Sequence, residues 1–193
     1  FMKWYIKSFY EGPDQNSDEF VESDHRKIEV NRPYTPVDLI FLPSSGSQHT
    51  LLPGTRQMLG LFDVVASMDS GDPGSNEAFL QKLFVDIDSS NGEQIISDVR
   101  LSRTTHDVQD DVQAIQIDED TYEFIIGDTD WNMISEGETK TFQIDATILP
   151  GLPLNTSLKA RFNPETSPNV TWIRDGSYNM EKTVNMLINY LTY

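Results

Sequence analysis

Carboxylates crowd one stretch of this sequence: Asp107, Asp110, Asp111, Asp118, Glu119, Asp120, Glu123, Asp128 and Asp130. Oxygen ligands at that density suit a hard divalent cation, calcium first, because such charges repel one another unless a cation or water compensates them. A calcium site and a solvated acidic face are both open readings, and no single residue is assigned as a metal ligand. A second acidic run, Asp86-Ile87-Asp88-Ser89-Ser90-Asn91-Gly92-Glu93, begins with the spacing of an EF-hand loop. Its glycine falls one position late and the closing glutamate is missing, so it reads as a hairpin turn.

Other chemistries find less. His25, His49 and His106 are the three histidines, and none stands at metal-ligand spacing from another, which argues against zinc. His106 precedes Asp107, but the sequence has no G-x-S-x-G elbow and no cysteine to act as nucleophile. No catalytic residue is assigned and no enzyme is expected; calcium is the one cofactor considered. Trp4, Trp131 and Trp172 could stack sugar rings if they shared an exposed face, or could pack in a core. Asn155 and Asn169 head N-x-S/T triplets, which are usable in an exported protein.

Composition narrows the partners. Fourteen Lys and Arg against 31 Asp and Glu give a net charge of −17, which opposes phosphate backbones and anionic lipid surfaces, so nucleic acid is not expected. Without cysteine there are no disulfides or thiolate sites, a condition met by reducing compartments and by large exported proteins alike. Phe1–Tyr10 is apolar but short and interrupted by Lys3 and Lys7, so no membrane span is expected. An opening Phe suggests a processed product or a fragment.

The elements that would position these residues are strands. Apolar and polar groups alternate over residues 1–10, Arg26–Val30, Val37–Leu42, Gln57–Ala66, Phe79–Ile87, Gln94–Leu101, Gln113–Ile117, Thr121–Ile126, Thr139–Leu149 and Ser157–Phe162. Residues 11–24 form an acidic loop, and Asn91-Gly92 between two alternating runs signals a hairpin. In the tail, Met180, Val184, Leu187, Ile188 and Leu191 keep helical spacing, whereas Val184, Met186, Ile188 and Tyr190 keep strand spacing; the asparagines favour strand. Regular short strands divided by turns predict an all-β, antiparallel sandwich, immunoglobulin-like or jelly-roll-like, with extra N- and C-terminal strands. The expected divisions are 1–36 as strands, acidic loop and assembly arm, 37–172 as the sandwich, and 173–193 as a strand or short-helix tail.

The order of motifs is more specific than any one of them. Leu52-Pro53-Gly54-Thr55 leads into a strand ending at Ala66; Leu80 to Leu101 follows; then Tyr122 to Ile126, Glu136-Gly137-Glu138-Thr139-Lys140-Thr141-Phe142 to Ala146, the segment Leu149–Leu158, and Val170-Thr171-Trp172 with Asp175-Gly176-Ser177. This order resembles the immunoglobulin-like β-sandwich modules of bacterial and archaeal surface-layer, adhesin and extracellular filament proteins. The resemblance implies a structural, assembly or adhesive role at the cell surface and carries no catalytic residues.

Hydrophobic terminal strands beyond such a module are unpaired edges unless covered, and strand addition between copies is one way to cover them. The expected function is therefore a structural subunit of an extracellular filament, pilus-like fibre or surface layer, a homopolymer built by sheet-edge contacts. Two alternatives stay open: an adhesin that binds glycans or a host surface, and a viral jelly-roll capsid or spike protein.

Overall fold

The computed structural model describes residues 38–47, 49–67, 77–104, 111–127, 130–162, 164–174 and 178–193. The chain divides into two compact units, Phe1–Thr35 and Pro36–Tyr193, and every described residue belongs to the second. The strands expected over 1–10 and Arg26–Val30 and the loop 11–24 lie outside the described residues. So do Trp4, His25, His106, Asp107, Asp110 and Asp128.

The described part is all-β, with two sheets of antiparallel ladders packed as a sandwich. The first sheet has the order β1-β2-β9-β4-β5, formed by Leu39–Pro43 (β1), Arg56–Ala66 (β2), Thr139–Ile148 (β9), Ile96–Arg103 (β4) and Val112–Gln113 (β5). The second follows β12-β11-β3-β10-β13: Tyr178–Lys182 (β12), Val170–Arg174 (β11), Glu77–Ser89 (β3), Ser157–Phe162 (β10) and Met186–Thr192 (β13). Ile115–Gln116 (β6), Thr121–Ile125 (β7) and Met133–Ser135 (β8) complete it. Strand period explains the core: β9 turns Lys140, Phe142, Ile144, Ala146 and Ile148 inward and the residues between them outward. Phe62 stacks on Phe142 at 5.6 Å and meets Phe162 edge-on at 5.1 Å, joining the two sheets through aromatic packing.

β3 is the spine of the second sheet. Leu83 pairs with both Phe124 of β7 and Val170 of β11, and Asp86 with both Thr121 of β7 and Arg161 of β10. β10 and β11 therefore lie end to end on one flank, with β7 and β8 end to end on the other. Each flank is thus a strand interrupted once, between Phe162 and Val170 on one side and between Ile125 and Met133 on the other.

Two expectations are corrected. Asn91-Gly92 does make a turn, with Gly92 at φ 67°, but β3 and β4 do not pair: the chain leaves one sheet and enters the other there. A turn dipeptide records local backbone geometry and not which strand comes next to which. The single strand expected over Gln113–Ile117 is split at Ala114, with β5 on β4 of the first sheet and β6 on β7 of the second. In the tail, strand wins over helix, and β12 and β13 are integral to the second sheet: Val184, Ile188 and Leu191 are buried in the common core.

Candidate functional site

Buried asparagines hold the interruptions together. In the gap between β10 and β11, Asn169 Nδ2 donates to the Val184 carbonyl at 2.7 Å and its Oδ1 accepts the Val184 N–H at 2.8 Å. The side chain supplies Val184 with the partners that a neighbouring strand's backbone would otherwise provide. On the other flank, Asn132 Nδ2 donates to the carbonyls of Leu80 at 2.7 Å and Gly127 at 2.6 Å. A third joint links the two sheets: a bulge between Met58 and Gly60 frees the Leu59 carbonyl, which accepts from Asn189 Nδ2 at 2.6 Å. β13 carries its own bulge there, and a Cβ on Gly60 would lie 2.7 Å from Ile188 Cγ2, so this approach requires glycine. In the sequence Asn169 reads as a sequon and Asn189 only as a residue that disfavours helix, and nothing there marks Asn132.

The acidic residues are dispersed. In the β6–β7 turn, the Asp118 carboxylate accepts the N–H groups of Thr121 at 2.9 Å and Asp120 at 3.2 Å. Those bonds, Thr121 foremost, hold its pKa below the usual aspartate range. Asp120 is pushed up by partial burial first and then by Asp88, Glu119 and Asp118. Asp111 lies 3.6 Å from Arg56, Glu123 pairs with Lys82 at 2.6 Å, and Asp130 opens a short 3-10 helix, Asp130–Asn132. Among the described residues no three His, Asp or Glu side chains converge as a metal site. The EF-hand-like run is occupied otherwise: Asp86 accepts from Thr121 at 3.0 Å, and Arg161 stands 3.5 Å from Asp86 and from Asp88.

The remaining candidates settle into structure. Trp131 and Trp172 are buried, and Trp131 packs on Phe142 at 5.9 Å, so these two offer no exposed sugar platform. His49 is exposed, with Nδ1 3.2 Å from the Tyr190 carbonyl. Asn155 is exposed and Asn169 fully buried, which separates the two sequons.

On the outer face of the first sheet, two bulges flank Asp145 of β9, one in β2 and one in β4, where Asp98 takes the left-handed φ of 50°. Arg56 reaches Asp98 at 3.0 Å and Arg100 reaches it at 2.9 Å, while Gln143 Nε2 donates to Asp145 at 2.8 Å. Burial raises the Asp145 pKa, and the Gln143 bond and Arg56 offset part of that. Inside, Lys140 occupies a core position, donates to the Met133 carbonyl, and has its pKa lowered by burial.

Edges and poles remain for contacts with other molecules. β1 is blunted: Pro43 has no N–H to offer, and Lys182 Nζ donates to the Leu39 carbonyl at 3.2 Å and to Asp38 at 2.8 Å. The end of β13 is covered by residues 49–51, with Leu51 N–H to Thr192 O and Thr192 N–H to His49 O both at 2.9 Å. Among the described residues no strand pairs with the outer side of β12. Asp38, whose carbonyl accepts the Ser67 N–H at 2.8 Å, lies past the Ala66 end of β2. Tyr193 donates to the Thr156 carbonyl at 2.9 Å beside the Arg56 end. At about 3.3 Å per residue, the length of β2 puts these two points roughly 30 Å apart.

No protein-family model matches the chain and no curated protein sequence matches it. Among solved structures it is similar to AvmM, described as catalysing macrocyclization in alchivemycin A biosynthesis, at 13% identity and a TM-score of 0.32 over 80% of this chain and 96% of that one. A likeness this slight carries neither fold nor activity across.

Proposed function

We propose that this chain is a structural module of an extracellular filament or surface layer, in which copies or neighbouring modules follow one another end to end. One observation carries the reading: Asp38, where β1 begins, and Tyr193, next to the end of β13, lie at opposite ends of the long strand β2. A module threaded in this way can repeat along an axis without folding back on itself. The motif order from Thr50 to Trp172, which resembles immunoglobulin-like surface modules, supports the same reading. The acidic surface suits a hydrated exterior and calcium-bridged contacts between copies.

Sheet-edge contact is the proposed mode of association, with β12 as its place, since β1 is blunted by Pro43 and Lys182 and the end of β13 is covered by residues 49–51. Electron microscopy of the purified protein with calcium and with chelator, alongside its mass in solution, tests the proposal. Ordered polymers are the expected result, more abundant with calcium. A strict monomer under both conditions, or assembly that survives deletion of residues 1–10 and proline replacement within β12, would count against strand addition.

A further inference from the structure

We propose that Asn155 is an N-glycan acceptor of the folded protein and that Asn169 is not. Both asparagines head N-x-S/T triplets, Asn155-Thr156-Ser157 and Asn169-Val170-Thr171, so sequence alone treats them alike. The fold separates them. Asn155 sits at the third position of the turn Pro153-Leu154-Asn155-Thr156, with a φ of 66° that asparagine tolerates better than most residues. The turn is held by its neighbours: Thr156 donates its N–H at 3.3 Å and its hydroxyl at 2.7 Å to the Pro153 carbonyl, and Tyr193 N–H binds the Thr156 carbonyl at 2.9 Å. Among the described residues no hydrogen bond engages the Asn155 amide, and the adjoining Leu154 is 80% exposed.

Asn169 is the opposite case. It is fully buried, its amide nitrogen is committed to Val184 O and its amide oxygen to Val184 N–H. A sugar on that nitrogen would replace a ladder contact and would have to occupy a filled gap between strands. The pole that carries Asn155 is therefore where a glycan can stand without disturbing either sheet.

The step is a glycosyl transfer from a nucleoside-diphosphate sugar. Asn155 Nδ2 forms a bond to the anomeric carbon, the bond from that carbon to the diphosphate oxygen breaks, the nucleoside diphosphate leaves with the electron pair, and the amide loses one proton to a base of the transferase. The assignment rests on the exported reading above, because surface glycosylation requires it, but its test does not depend on filament formation.

Folded full-length protein would be incubated with UDP-glucose and a soluble N-glycosyltransferase of broad sequon tolerance, then mapped by peptide mass spectrometry. A peptide covering residues 150–160 serves as the positive control. One hexose on Asn155, none on Asn169, and at least tenfold less product in Asn155→Gln and Ser157→Ala are expected. A bare Asn155 in folded protein while the control peptide is modified would overturn the proposal, as would equal modification of Asn169. Polymers by microscopy with Asn155 bare would leave the filament reading standing and remove this one.

Discussion

Asn169 and Asn132 show how much of this fold rests on single amides. Removing the Asn169 side chain leaves both backbone groups of Val184 without the partner it supplies, inside the sheet. Asn169→Ala is expected to cost about 2–3 kcal/mol, and Asn132→Ala about 1–3 kcal/mol, read as a lowered urea midpoint at unchanged slope. Asp145 points the other way. Because burial raises its folded pKa above the unfolded value, its charge opposes folding at neutral pH, and that opposition fades as pH falls through the folded pKa toward the ordinary aspartate range. Asp145→Asn should therefore raise the midpoint at pH 7, with the gain shrinking toward pH 4; a gain that grew on acidification would contradict the argument. The asparagine bridges were not legible in the sequence, because a buried Asn that stands in for backbone has the same surroundings in text as a loop Asn. Asn169 even carried a competing signal, its sequon.

At the level of elements, alternation did reveal most strands. β9 and β10 keep strict period two, and one face of each is buried throughout. What alternation could not reveal was partnership. The runs either side of Asn91-Gly92 belong to different sheets, and the run through Ala114 serves both, because period two reports that a face is buried and not against which neighbour. Bulges blur the pattern further: at Met58/Gly60 the parity of β2 shifts, which lets Leu59 present its carbonyl to Asn189. Gly60→Ala tests this joint. Its new methyl would meet Ile188 Cγ2, and about 1–3 kcal/mol of destabilisation is expected. Combined with Ile188→Ala, which removes the obstructing carbon, the double variant should lose clearly less than the sum of the two singles.

For the whole molecule, sequence reading reached the all-β class and the two-sheet, antiparallel layout. The opposite placement of Asp38 and Tyr193 was out of its reach, since it depends on which strands pair and in what register. That placement has a mechanical consequence. β1 leads away from the pole at Asp38 and β13 ends at the pole of Tyr193, so a pull between those points acts along both strands. Each would have to slide lengthwise over β2 or β10, breaking its ladder all at once, instead of peeling bond by bond. Single-molecule pulling through Asp38 and Tyr193 should give one abrupt high-force rupture. Pulling through Gln143 and Lys159, on the outer faces of the two sheets, should part the sandwich at a much lower force. A filament threaded through such modules would be stiff along its axis and weak across it.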